Sequence, residues 1–242
     1  MEVFVISLER SANRRDTFDM YNSKYIKKYT YHTAVDGKTL DVNNLDNKIF
    51  TKGSLNYSKG AIGCALSHLQ LWEKCIDLDK PIIIMEDDAI VSKNFTNHVN
   101  NIMNCMLPKD WDIVQLTYNC DSILSYKNTN FEQCNCIFNK TKITKTDIST
   151  FINSKINTTI VKLINCFGSS AYMISPKGAK ILKYSCFPLN NKIINMPFLN
   201  NISCHTIDCM MNSVYKDISA HVCIIPFVIT PHISDDYETT IS

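Results

Sequence analysis

P-I-I-I-M-E-D-D-A-I-V, residues Pro81 to Val91, carries two patterns back to back. Ile82, Ile83, Ile84 and Met85 form a continuous apolar run behind a proline. A run that short, with no polar alternation, predicts a strand buried on both faces, as in a parallel sheet. Glu86, Asp87 and Asp88 follow where the strand leaves the sheet, and open α/β sheets bind ligands at the carboxyl ends of their strands. Strand alternation puts Glu86 and Asp88 on one side and Asp87 on the other. Two carboxylates on one side of a dry strand end repel each other unless a cation separates them. Carboxylate oxygens suit a hard divalent ion, Mg²⁺ or Mn²⁺. A solvated acidic turn after a core strand is the competing reading of the same residues.

Upstream, Val3–Leu8 predicts a first strand, and Ser11 can cap a helix reaching to about Ser23. Arg14 and Arg15 lie in the first turns of that helix. Cations oppose the positive dipole end there, so they point either to a bound anion or to a solvated face. Tyr29–Ala34 predicts a second strand ending at Ala34-Val35-Asp36-Gly37. Asp-Gly is a turn signal, and a carboxylate at a strand end can accept bonds from a base or a ribose. Ser58 opens a long helix in which Ile62, Leu66, Leu69, Trp72 and Ile76 form the buried stripe. Gly60 and Gly63 in its first turns cost helix stability and predict close approach of backbone to a ligand or a neighbouring element. Ser67 and His68 follow; a histidine on such a helix is more often a hydrogen-bonded packing residue than a ligand.

Downstream, Asn94 caps a predicted helix to about Met106, and Trp111–Leu116 reads as another buried strand. Residues 117–162, rich in Asn, Thr, Ser and Lys, show weak periodicity. They are expected to be a variable insertion or acceptor-side loop region within a single domain spanning 1–242. Cys166–Ile174 predicts a strand, and Ser175-Pro176 a helix start with proline at its first position. His205-Thr206-Ile207-Asp208 leads into a further helix with Asp208 near its N-terminus. His221–Val228 is expected as the last strand, ended by Pro226.

Alternating strands and helices imply an α/β/α sandwich around a mostly parallel sheet. The chain of 242 residues is 45% apolar and 20% charged, with a net charge of +2, which argues against a protein built to coat nucleic acid. No apolar stretch approaches the roughly 20 residues of a membrane span. The first residues, M-E-V-F-V-I-S-L, read directly as a strand rather than as a signal peptide. Eleven cysteines without a C-x-x-C pair suggest free thiols in a reducing, cytoplasmic setting, host cytoplasm if the source is viral. Neither G-x-G-x-x-G nor G-x-x-x-x-G-K-[ST] occurs, so both the dinucleotide and the P-loop fingerprints are missing. An acidic pair after a central strand without a phosphate-cradling loop fits a transferase using a nucleotide sugar.

Six blocks in order, V-I-S-L-E-R-S-A-N-R-R, A-V-D-G, G-A-I-G-C-A-L-S-H, I-M-E-D-D-A, S-A-Y-M-I-S-P-K-G-A-K and H-T-I-D, resemble glycosyltransferase family 25. That family includes bacterial lipooligosaccharide and collagen-modifying galactosyltransferases. The ending I-S-D-D-Y-E-T-T-I is similar to the tail of the collagen-type members. The resemblance implies a GT-A-like (Rossmann-like) fold, a UDP-sugar donor, Mn²⁺ or Mg²⁺, and inverting transfer of galactose or glucose to a hydroxyl on a glycan or on a hydroxylysine-type protein. It implies Glu86 and Asp88 as metal ligands with His232 as a further one. Ser7, Arg14, Asp36, Gly63, Ser67 and Asp87 fall on the donor-binding side, and Asp208 is the candidate general base. A non-catalytic sugar-nucleotide-binding protein that retains the fold is the alternative, and a nucleotidyl- or phosphotransferase ranks behind both.

Overall fold

The computed structural model describes residues 1–51, 56–119, 122–139 and 143–231. The chain begins with β1 (Glu2–Ser7), α1 (Ala12–Asn22), β2 (Thr30–Thr33), α2 (Lys59–Leu78) and β3 (Ile82–Glu86). Then come β4 (Ile90–Val91), α3 (Phe95–Asn101), β5 (Ile113–Gln115), β6 (Ile123–Lys127), β7 (Gln133–Ile137), α4 (Lys145–Asn153) and β8 (Thr159–Cys166). The last part holds β9 (Ala171–Ile174), α5 (Pro176–Cys186), β10 (Ile193–Ile194), β11 (Ile202–Ser203), α6 (Ile207–Asn212), β12 (Ala220–Ile224) and β13 (Val228–Ile229).

Nine strands form one sheet in the order β2-β1-β3-β9-β5-β12-β8-β6-β7. β2, β1 and β3 pair in parallel, as do β5 and β12. β9 runs antiparallel between β3 and β5, so those two share a direction across it. The far end, β12-β8-β6-β7, is antiparallel throughout. The core of the sheet is thus the predicted mostly parallel one in strand direction, with one reversed strand at its centre and an antiparallel edge.

Alternation splits each central strand between two cores. Phe4, Ile6, Ile82, Ile84, Tyr172 and Ile174 pack with residues of α2, α5 and α6 on one face. Val3, Val5, Ile83, Met85 and Met173 pack with Phe18 of α1 and Phe95 and Val99 of α3 on the other. This is the α/β/α sandwich that the periodicity predicts. Ile82 to Met85 are 0–1% exposed, which explains their lack of polar alternation.

Helix starts follow the sequence signals closely. The Ser58 and Ser175 hydroxyls accept from the amides of Ala61 and Gly178, each satisfying a donor the helix leaves open. Ser11 and Asn94 sit at N-cap positions without a side-chain cap bond. The predicted helix to Met106 is α-helical only to Asn101 and continues as a π-helical turn over Ile102–Met106.

Three expectations need correction. The segment 117–162 is not a loop region: its described residues supply β6, β7, α4 and the start of β8. Cys166–Ile174 is two strands, broken at Phe167–Ser170, where Gly168 takes a φ of +98°, a conformation glycine adopts freely. His221–Val228 is also two strands, β12 ending before Pro226 and β13 pairing separately with β4, because proline has no amide to donate to a ladder.

Candidate functional site

β1, β2 and β3 end side by side, with Ser7 opposite Thr33 and Ile6 opposite Glu86. A cavity of about 730 Å³ opens at those ends. Its wall includes Ser7, Arg10, Arg14, Asp36, Lys38 and Lys59, together with Cys64, Ser67, Glu86 and Asp87. Five of the predicted donor-side residues therefore converge: Ser7, Arg14, Asp36, Ser67 and Asp87.

The acidic turn is held at both ends. The Glu86 amide donates to the Ser170 carbonyl at 2.9 Å, and the Ala89 amide turns back to the Glu86 carbonyl at 3.1 Å. Buried Asn22 of α1 bonds the Ala89 carbonyl and the Val91 amide at 2.8 and 2.9 Å. Inside this frame Arg14 reaches across from α1. Its Nε and Nη2 lie 2.7 and 2.5 Å from Asp87 Oδ1, and Nη2 lies 3.2 Å from Asp88 Oδ2. An arginine in the first turns of a helix is thus placed by an acidic partner 73 residues away, which offsets the unfavourable dipole. Burial opposes the charge on Arg14, but Asp88 and Asp87 outweigh it and raise its pKa.

The neighbouring acids are driven apart. Burial first, and then adjacent Glu86, push the Asp88 carboxyl up to about 7 against the pull of Arg14. Burial also works against Glu86, but the His68 ring, the Ser169 hydroxyl and Arg14 together hold it below the usual range. Ser169 Oγ donates to Glu86 Oε1 at 2.7 Å. Asp88 Oδ1 is buried without a hydrogen-bond partner among the described residues. Paired acids with diverging protonation are a signature of functional sites.

The A-V-D-G turn forms the opposite wall. Asp36 accepts from the Lys38 amide at 2.9 Å and from Arg10 Nε at 2.7 Å, and these bonds hold its carboxyl below the ordinary value. Ser67 Oγ accepts from the Val35 amide at 2.9 Å and donates to the Gly63 carbonyl at 2.8 Å, so it pins the turn to α2. Gly63 does not line the cavity. A Cβ there would stand 2.5 Å from the Val35 carbonyl oxygen, and one on Gly37 would stand 2.3 Å from that of Lys59. Of the two readings of Gly63, approach to a ligand or to a neighbour, the structure realises the second.

His68 is fully buried, and its Nδ1 lies 2.7 Å from the Tyr172 hydroxyl, which also accepts from Trp72 Nε1 at 2.9 Å. That is the packing role predicted for it. Among the described residues its Nε2 has no hydrogen-bond partner; it stands 3.6 Å from Glu86 Oε1, beyond hydrogen-bonding length. Cys64, one helical turn earlier, completes a group with His68 and Glu86 whose ligand atoms all lie within 4.8 Å of one another. Burial, followed by Glu86, Asp208 and Asp88, raises the Cys64 thiol well above its ordinary range.

Asp208 sits in the first turn of α6 and outside the cavity wall. Its Oδ2 accepts from the Gly168 amide at 3.0 Å, and its Oδ1 from the Cys209 amide at 2.9 Å and from the Thr206 hydroxyl. His232 and the I-S-D-D-Y-E-T-T-I tail lie outside the described residues. Sequence reasoning missed Arg10, Lys38, Lys59, Cys64 and Ser169. Arg10 and Cys64 fall within the quoted motifs, but only contact with Asp36 and Glu86 gives them a role.

The model of glycosyltransferase family 25 (LPS biosynthesis protein) matches residues 1–198. The chain belongs to glycosyltransferase family 25. It is 25% identical over 217 residues to the procollagen lysyl hydroxylase and glycosyltransferase of Acanthamoeba polyphaga mimivirus, covering 82% of this chain and 20% of that protein. Procollagen galactosyltransferase 1 of Danio rerio is 30% identical over 128 residues, covering 48% of this chain and 21% of its own length. A mouse relative named as an inactive glycosyltransferase 25 family member is 31% identical, with 48% and 21% covered. The chain spans about a fifth of the length of these curated relatives. Among the described residues no helix is long and apolar enough to cross a membrane.

Proposed function

We propose that this family 25 chain is a metal-dependent, inverting glycosyltransferase. In this reading it moves a hexose, galactose or glucose, from a UDP-sugar to a hydroxyl of a glycan or a hydroxylysine-type protein. One observation carries the reading: a cavity at the ends of three parallel strands that sets Arg10, Arg14, Lys38 and Lys59 beside an acidic turn. Cationic side chains match a diphosphate, and the Asp36 carboxylate is a hydrogen-bond acceptor for a ribose hydroxyl. Ser7, Ser67 and Asp87 complete the donor side, Ser67 by holding the turn and Asp87 by holding Arg14.

Asp88 and Glu86 are the residues assigned to Mn²⁺ or Mg²⁺, with His232 as a further ligand. The fit rests on Asp88 Oδ1, a buried carboxylate oxygen with no hydrogen-bond partner among the described residues, and on oxygen donors suited to a hard ion. Such an ion, when bound, neutralises charge developing on the departing diphosphate. Arg14 spans Asp87 and Asp88, so it carries part of that charge balance itself, and its place in the cavity wall would let it face the phosphates. Asp208 is assigned to take the proton of the acceptor hydroxyl. To do so it must release a donor now on one of its oxygens. Ten described cysteines are free, which supports a reducing, cytoplasmic setting, that of the host if the source is viral.

The non-catalytic reading has its own support: both oxygens of Asp208 are engaged, and a relative is named inactive. The deciding experiment measures UDP release with Mn²⁺ across a panel of UDP-hexoses, with collagen peptides and simple glycosides as acceptors. Turnover that depends on both donor and acceptor supports transfer. UDP binding without turnover for any pair would leave a binding protein.

A further inference from the structure

Cys64 and His68 lie four residues apart on α2, so they share one face of the helix. Glu86 meets them from the end of β3. His68 Nε2 is the atom that has no account in the packing. The ring is fully buried, Nδ1 is satisfied by Tyr172, and Nε2 faces Glu86 Oε1 across 3.6 Å without bonding it. An unpaired nitrogen in the interior costs free energy unless something fills the gap. A gap of 3.6 Å between a ring nitrogen and a carboxylate oxygen is close to the roughly 3.3 Å edge of a tetrahedron whose ligands stand about 2.0 Å from zinc. Cys64, His68 and Glu86 have their ligand atoms within 4.8 Å of one another, so rotamer adjustments of an ångström close the remaining edges.

We propose that Cys64 Sγ, His68 Nε2 and Glu86 Oε1 bind one Zn²⁺ ion in the wall of the cavity. Thiolate, imidazole and carboxylate together favour Zn²⁺ over the hard ion suited to an all-oxygen acidic turn, and the divalent affinity series runs the same way. Cys64 and Glu86 both line the cavity, so three protein ligands leave the fourth position turned toward it, where an anionic oxygen of a bound molecule would enter. Tyr172 is the supporting residue. Its oxygen accepts from Trp72 and can accept from His68 Nδ1–H as well, the tautomer that leaves the Nε2 lone pair for the metal. The ion draws the polar end of β3 to α2, whose apolar residues already share a core with Ile82 and Ile84. Glu86 is shared with the hard-ion site assigned above, Oε1 going to Zn²⁺ and Oε2 remaining for that ion, so the Zn²⁺ site stands whether or not the chain transfers sugar.

The test uses the full chain, stripped with a chelator and titrated with Co²⁺ and then Zn²⁺. The expected result is one equivalent of Co²⁺, a thiolate-to-cobalt charge-transfer band, and loss of that band when Zn²⁺ displaces the cobalt. Cys64→Ser should abolish the band, whereas Asp88→Asn and a Cys134→Ser/Cys136→Ser double variant should keep it. Tyr172→Phe, nearly isosteric, should weaken Zn²⁺ binding by about 10- to 100-fold. A wild-type protein without the band overturns the site, as does a band that persists in Cys64→Ser or disappears in Asp88→Asn. Should circular dichroism show Cys64→Ser misfolded, Tyr172→Phe decides instead, and unchanged Zn²⁺ affinity there overturns the site. Because every readout is metal binding, failure here leaves UDP release untouched, and failure of UDP release leaves this result standing.

Discussion

The two ends of the sheet are built from different kinds of sequence. At the β2-β1-β3 end the strands are parallel, the inner two are apolar on both faces, and all three carboxyl ends open into one cavity. At the β8-β6-β7 end neighbouring strands are antiparallel, β7 alternates between exposed and half-buried residues, and Phe131 at the tip of the β6–β7 hairpin is 97% exposed. Parallel strands must be joined by crossovers, so their carboxyl ends collect on one side and can share a ligand. Antiparallel neighbours send adjacent strand ends to opposite sides. The chemistry collects where strand direction is shared, and the antiparallel edge extends the sheet without adding to that wall.

Core substitutions should break this comparison most forcefully. Ile84→Ala, in a fully buried β3 position, is expected to cost about 2–5 kcal/mol. Ile137→Ala on β7, at 62% exposure, should stay within about 0.5 kcal/mol. Urea unfolding of both variants checks the contrast, and similar losses would show the antiparallel edge to be as much a part of the core as β3.

Next in size is the acidic turn. If the proposed transfer is right, Asp88→Ala should lower UDP-sugar turnover by about 100-fold or more, since it removes a residue assigned to the metal that would offset charge on the diphosphate. Glu132→Gln on the β6–β7 hairpin should change it by less than about twofold. Initial rates at saturating Mn²⁺ read both, and full activity in the Asp88 variant would remove that residue from the reaction.

A smaller effect is expected at the contact between α2 and the A-V-D-G turn. Gly63→Val forces a side chain against the Val35 carbonyl and should cost about 1–3 kcal/mol. It should also weaken UDP binding by displacing Asp36. Thermal denaturation with and without UDP separates the two consequences; lost stability with undiminished UDP binding would detach the turn from the ligand.

The smallest effect belongs to a histidine of the other end. His221 on β12 faces Lys162 across the ladder, and burial, followed by Lys162, lowers its pKa. A group whose folded pKa is depressed below the unfolded 6.5 leaves stability intact above that value and withdraws it as pH falls through 6.5. The wild type should therefore lose stability between pH 7 and 5, and His221→Gln should reduce the loss by less than about 1 kcal/mol. Identical pH profiles of the melting temperature would show that His221 takes no part.

How far the sequence could be read depended on the kind of contact. Ile82–Met85 and Glu86–Asp88 were legible because covalent adjacency alone sets a buried strand and an acidic end. The Ser58 and Ser175 caps were legible because capping is local. β6 and β7 were not: Ser125, Asn135, Cys134 and Cys136 blur the alternation, and only the pairing of β7 with β6 and of β6 with β8 makes these residues strands. Arg14 read as either an anion site or a solvated face, and its partners Asp87 and Asp88 decided that it is neither a bare surface charge nor unopposed.

Local order along the chain was enough to specify the α/β class, the strand-end acids and the family, since periodicity, turns and motifs are properties of neighbours in sequence. Tertiary structure alone decided that Gly63 serves the packing of α2, that Arg10 meets Asp36, and that Cys64 and His68 face Glu86. Those relations join residues 18 or more positions apart, or a helix and a turn whose approach depends on how both cores fill, and no pattern within one segment encodes such a distance.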